Sequence, residues 1–172
     1  MTHKTTHLRW VRIVLAVLLV LHLGMIFHLS AETAPQSDRT STSVIETVLQ
    51  RFMPSFSGLS AEARIQRIQS LQKSVRTLAH LLEFVYLGFL VCALVLTVTT
   101  RKRFLALSLP LCAVTALLDE AHQLLVPGRT FQWEDVAVET VGAALGLAAA
   151  FLLWRLGVYL NTVRKQKKGT TT

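Results

Sequence analysis

The chain has 172 residues, 52% of them hydrophobic, and a mean hydropathy of +0.47, which is too apolar for an ordinary soluble domain and points to a membrane protein. A formal net charge of +8 does not mark a nucleic-acid binder, because the basic residues lie at the ends of apolar segments and along one amphipathic stretch. The two cysteines, Cys92 and Cys112, fall inside apolar runs, which excludes a disulfide framework and a CxxC metal site.

Residues 10–29, WVRIVLAVLLVLHLGMIFHL, are twenty long and at about 1.5 Å per residue match the ~30 Å hydrocarbon core of a bilayer. The basic start and the following LSAET resemble a signal peptide, but the apolar stretch exceeds the usual length of about 7–15 residues, which favours an uncleaved anchor. Residues 30–43, SAETAPQSDRTSTS, read as a polar loop and VIETVLQRF as a short helix. Beyond it, Ile65, Ile68, Leu71, Val75 and Leu78 recur at helical spacing while Arg64, Arg67, Lys73 and Arg76 take other positions, the pattern of a cationic amphipathic helix. Such a helix either lies on the outer leaflet against anionic headgroups or packs over the bundle as a lid.

A second apolar run covers residues 78–100 and stops at the RKR of 101–103; a third, 104–126, carries Pro110, a kink that membrane helices tolerate when neighbours satisfy the freed carbonyl. After the turn signal PGR a fourth span runs over about 133–156, where Gly142 and Gly146 lie one turn apart and open a face for close helix approach. The sequence thus predicts an all-α fold: one domain over 1–172, a four-transmembrane-helix bundle with an extracytoplasmic amphipathic helical segment at about 44–77 and a basic tail at 161–172. Lys4, Arg9, Arg12, the three basic residues of 101–103, and Arg164, Lys165, Lys167 and Lys168 put both termini in the cytoplasm by the positive-inside rule. Six basic residues within 31–77 weaken that assignment.

With this topology four helix ends bring polar residues to one outer face: Ser30 and Glu32, His80 and Glu83, Asp119, Glu120, His122 and Gln123, then Asp135 and Glu139. His80 with Glu83, Asp119 with His122 and Glu120 with Gln123 are i, i+3 pairs, and Asp135 with Glu139 is an i, i+4 pair, so each shares a helix face. Charge at the edge of lipid costs several kcal/mol per group unless the groups compensate one another or meet water. For any one residue the simpler role is a buried bond tying helix ends together; the convergence of the set, with Arg129 beside it, points to a site. His22 and His28 do not share a face well and read as packing residues, and Trp10, Trp133 and Trp154 as a boundary belt.

The segments HLLEFVYLG at 80–88, LLDEAHQLLVPGRTFQWEDV at 117–136 and TVGAALG at 140–146, in that order on successive spans, resemble the VanZ-like family of bacterial membrane proteins. The resemblance covers most of residues 10–155 and extends to the IFHLSAE that ends the first span. It implies a small helical protein of the bacterial plasma membrane, and a link to resistance against teicoplanin-type glycopeptide antibiotics. It places His80, Glu83, Asp119, Glu120, His122, Gln123, Arg129 and Asp135 at the family's polar positions. Glu139 departs from it, standing where Asn or Asp is expected.

Two mechanisms follow. In the first, the polar face binds a cell-envelope lipid or a lipophilic glycopeptide: Arg129 offers a bidentate donor to phosphate or carboxylate, and Ser30, His80, Glu83, Gln123, Asp135 and Glu139 complete the binding surface. In the second, the protein is a hydrolase or transferase for a lipid-linked envelope substrate, with Glu120, His122 and Asp119 as catalytic groups. His80, Glu83, Asp119 and His122 are candidate ligands for a divalent metal, although nothing in the sequence requires one. Ser30 is a candidate nucleophile with no base paired to it in sequence. A transport pathway finds no support from an inverted repeat.

Overall fold

The computed structural model describes residues 2–99 and 101–169, so Thr100, at the end of the expected second span, and residues 170–172 of the basic tail lie outside the described residues. So do the side chains of Lys4, Arg101, Lys102, Lys167 and Lys168. The chain folds as α1 (Thr2–Ser30), α2 (Ala34–Phe52), a short 3-10 helix (Pro54–Gly58), α3 (Ala61–Val98), α4 (Arg101–Gln123) and α5 (Trp133–Gly169), with no strand among the described residues. The all-α expectation holds.

Three of these helices, α1 over Thr6–Ser30, α3, and α5 over Trp133–Gln166, are long and apolar enough to cross a membrane. The expected third span forms α4, which is not among these three; the side chains of Phe104 and Leu105 at its head lie outside the described residues. Among the described residues, three helices thus stand as spans on length and composition. Val20, Leu21 and Phe27 on α1 and Leu152 and Leu153 on α5 remain more than half exposed, a surface that suits lipid rather than water.

Residues 34–43, expected as a polar loop, are the first half of α2. Pro35 occupies the first turn, where its missing N–H costs nothing, and Gln36 Oε1 accepts from the Thr33 N–H and hydroxyl, both at 2.9 Å. The amphipathic segment also departs from expectation: its second half continues without a break into the second span as the 38-residue α3. At about 1.5 Å per residue α3 is roughly 57 Å long, so about half of it overhangs a ~30 Å hydrocarbon core. On that overhang Ile68, Leu71 and Val75 pack on Ile45 and Leu49 of α2 and on Phe56. The apolar stripe is thus covered by α2, an arrangement neither alternative describes, while Ile65 and Leu78 stay exposed.

The bundle core joins Ile26 of α1, Phe84, Leu87 and Val91 of α3, Cys112 and Ala116 of α4, and Ala143 of α5. α3 and α5 make the closest approach. A Cβ on Gly142 would lie 2.5 Å from the Leu81 carbonyl oxygen, and one on Gly146 would overlap the Val85 carbonyl. Gly88 faces Ala143 in the same way. The small-residue face of α5 is therefore spent inside the bundle. Two further contacts fix α1 against α3: Arg12 donates to the Thr97 carbonyl, and His22 Nε2 lies 2.8 Å from the Glu83 carbonyl with its ring edge-on to Tyr86.

Candidate functional site

Ser30 closes α1, Asp119, Glu120 and Gln123 close α4, Asp135 and Glu139 open α5, and His80 sits midway along α3, level with them. All of these are buried, although Ser30, Asp119, Glu120, Gln123, Asp135 and Glu139 are polar or acidic and lie near helix ends. Their contacts mostly run between helices. His80 Nδ1 lies 3.0 Å from Glu139 Oε1. Ser30 Oγ lies 3.3 Å from His122 Nδ1 and donates to the Asp119 carbonyl at 3.4 Å. Glu120 Oε2 accepts from the Gln132 N–H at 2.7 Å, a short charge-assisted bond that fixes the approach to α5. Only the Gln123 to Asp119 bond, from Nε2 to Oδ2 at 3.2 Å, joins two of these side chains within one helix.

The connection between α4 and α5 turns through Gly128, whose φ of 80° lies in the left-handed region where a side chain is strained. The turn sets Pro127 to accept from the N–H of Ala34 at the head of α2, at 3.5 Å. It also sends Arg129 back toward the bundle.

There a cavity of about 190 Å³ opens between α1, α2, α3 and this connection. Ile26, Leu29, Val44 and Val75 supply its apolar wall; Ser30, Glu32, Arg76, His80, Glu83, Asp119 and Arg129 supply its polar one. Arg129 is half-buried and its Nε has no hydrogen-bond partner. Burial lowers the pKa of its guanidinium from the ordinary value, and the neighbouring Arg76 pushes the same way, opposed by Glu120, Asp119 and Glu32. The group stays protonated at any physiological pH, so two guanidiniums face one small space.

A family model described as VanZ/LLP1 matches residues 14–155. The chain belongs to the VanZ/LLP1 family. No curated protein and no solved structure matches it. The matched region of this VanZ/LLP1 chain contains every candidate site residue read from the sequence, and it includes α2 and the overhang of α3.

Of those residues, Ser30, His80, Glu83, Asp119 and Arg129 border the cavity, whereas Glu120, Gln123, Asp135 and Glu139 are packed behind it. His122 stacks on Phe27 with ring centroids 4.3 Å apart. Among the described residues, those that bring metal-ligating atoms together are His80, Asp119 and Glu139, with one atom from each within 4.8 Å of the others. The sequence candidates Glu83 and His122 are not part of that group, and Glu139 is. Sequence reasoning missed Arg76, Ser37 and Thr40 as cavity residues, because the last two sit on a helix read as a loop. The Thr33-x-x-Gln36 spacing with Pro35 was the available signal for that helix.

Proposed function

We propose that this VanZ/LLP1 protein binds the anionic headgroup of a cell-envelope lipid, or of a lipophilic glycopeptide, at the outer leaflet of the bacterial plasma membrane, with teicoplanin resistance as its role. The observation that carries this reading is the cavity, where an apolar wall meets a polar one carrying two guanidiniums, Arg76 and Arg129, beside Glu32, Glu83 and Asp119. An amphiphile with a phosphate or carboxylate head satisfies both surfaces, and a bidentate anion also relieves the repulsion between the arginines. Ser30, His80 and Glu83 supply hydrogen-bonding groups beside it. Gln123, Asp135 and Glu139 support the site from behind.

In this proposal α4 is a fourth span and both termini are cytoplasmic. Its 23 residues extend over about 35 Å, and Asp119, Glu120 and Gln123 are 7%, 0% and 1% exposed. Polar groups buried against neighbouring helices do not meet lipid, so they do not prevent α4 from spanning.

The test is teicoplanin and vancomycin susceptibility of a sensitive Gram-positive host expressing wild type, Arg129→Gln or Arg76→Gln at equal membrane abundance. The expected result is teicoplanin protection by the wild type and its loss in both variants. Equal protection by Arg129→Gln and wild type refutes the headgroup reading, and no protection by the wild type refutes the resistance role.

A second reading, a hydrolase or transferase acting on a lipid-linked envelope substrate, is favoured by one observation. Ser30 Oγ sits 3.3 Å from His122 Nδ1, and turning its hydroxyl from the Asp119 carbonyl to that nitrogen gives the nucleophile and base pairing such chemistry uses. Glu120 is less suited to act as base, since Oε2 is held by Gln132 and the residue does not border the cavity. Turnover of a lipid-linked substrate that survives Ser30→Ala would eliminate this version.

A further inference from the structure

Five carboxylates, Glu83, Asp119, Glu120, Asp135 and Glu139, gather at one end of the bundle, and four of them are buried. Several have protein partners: Glu120 the Gln132 N–H, Asp119 the Gln123 amide. Glu139 is different. It is 0% exposed, and neither carboxylate oxygen makes a hydrogen bond. A buried carboxylate left in that state costs several kcal/mol unless a positive charge meets it.

The nearest candidate, His80, does not meet it as a hydrogen-bond donor. Its Nδ1 is 3.0 Å from Glu139 Oε1, an ion-pair distance when His80 is protonated, yet neither atom has a hydrogen-bond partner. Two atoms that coordinate one ion behave in this way: they sit roughly 3 Å apart and point at the ion, not at each other, given bonds of about 2.0–2.2 Å. Asp119 supplies the third atom, with one donor from each of the three side chains within 4.8 Å of the others.

We propose that His80, Asp119 and Glu139 bind one divalent cation of the zinc or manganese type. One imidazole nitrogen and two carboxylate oxygens form a mixed N/O set suited to such ions, and three protein ligands leave a further position for water or substrate. His80 and Asp119 border the cavity while Glu139 lies behind it, so that position faces the cavity. Gln123 Nε2 holds Asp119 Oδ2 at 3.2 Å, the outer hydrogen bond that orients a ligating carboxylate. Drawing the three atoms in from 4.8 Å requires side-chain movement of about 1 Å to reach ordinary metal–ligand distances. The site stands whether or not the cavity takes a lipid headgroup.

The experiment uses the full chain without a histidine tag, purified in detergent, stripped with EDTA and titrated separately with Zn2+ and Mn2+. Bound metal is measured by elemental analysis after desalting, and thermal unfolding is followed in parallel. The expected result is about one ion per chain for at least one metal, with a rise in unfolding temperature on loading. Glu139→Gln and Asp119→Asn should each lose at least tenfold in affinity, and Gln123→Leu about 10–100-fold, as outer hydrogen bonds to ligands do. Gly157→Ala, remote from the site, should bind as wild type does. Should Glu139→Gln fail to fold, the wild-type stoichiometry and Gln123→Leu decide the matter. Retention of neither ion by the wild type, or undiminished affinity in Glu139→Gln or Gln123→Leu, overturns the proposal.

Discussion

Replacing Gly146 by Ala tests whether the contact of α3 with α5 sets the geometry of the site. A Cβ at this position would overlap the Val85 carbonyl oxygen and lie 2.8 Å from Phe89 N and from the Val85 carbonyl carbon. These are backbone atoms of a helix, so no rotamer change relieves them. Restoring an ordinary separation of about 3.5 Å moves α5 away from α3 by upwards of half an ångström. Overpacking of this kind costs about 1–3 kcal/mol. For a chain of this length that is roughly 2–12 °C in unfolding temperature. Helix propensity acts in the opposite direction, by up to about 1 kcal/mol. Gly157→Ala, where nothing lies within 4 Å of the added methyl, carries that favourable part alone and serves as the reference. The assay is thermal unfolding of both variants in one detergent, with size-exclusion chromatography to follow oligomeric state. Equal unfolding temperatures for the two variants refute the reasoning. So does a change of oligomeric state without loss of stability, which would mean that the glycine face serves a second copy of the chain.

Three further outcomes are expected. His22→Ala removes a 2.8 Å contact to the Glu83 carbonyl and the edge-on packing on Tyr86, a loss of about 1–3 kcal/mol that His22→Phe should only partly restore in a thermal unfolding series. Ile68→Ala opens the small core that Ile68 shares with Ile45 and Phe56; a cost of about 2 kcal/mol or more should appear as faster proteolysis or hydrogen exchange across α2, with the bundle itself protected. In intact cells Ser60→Cys should react with a membrane-impermeant maleimide and Gln166→Cys only after permeabilisation, against a silent background because Cys92 and Cys112 are buried. The reverse labelling pattern inverts the topology and removes the outer-leaflet reading.

The apolar runs were legible in the sequence because each depends on composition over many residues, whereas the helices extend past them, α3 beginning at Ala61 and α5 ending at Gly169. So was the close face of Gly142 and Gly146, since the spacing itself is the signal. The head of α2 was not legible: residues 34–43 are rich in Ser and Thr, and their helix rests on Pro35, the Thr33–Gln36 contacts and the packing of Ile45 on Ile68. The junction between amphipathic segment and second span was drawn at residue 78, where composition changes, although no Gly or Pro interrupts the helix there. Partners were the least legible feature. Sequence spacing pairs residues along one helix, as in Asp119 with His122. The contacts of His80 with Glu139, Ser30 with His122 and Glu120 with Gln132 cross between elements, and their register depends on how the helices pack.

Those crossings also explain how so many polar groups persist at the edge of an apolar bundle. Buried polar groups in membrane proteins persist where a partner offsets their loss of water. Asp119 meets that condition through Gln123, and Glu120 through one oxygen, Oε2, bonded to the Gln132 N–H. Arg129 Nε, His80 Nδ1 and both oxygens of Glu139 do not meet it within the chain. Two of these three side chains border the cavity and the third lies directly behind His80. With Glu120 Oε1, these atoms account for most of the buried polar atoms without a partner among the described residues, Arg12 Nε and Ser108 Oγ lying elsewhere. A ligand with an anionic head facing Arg129, together with a cation between His80 and Glu139, would satisfy these three side chains without any change in the fold.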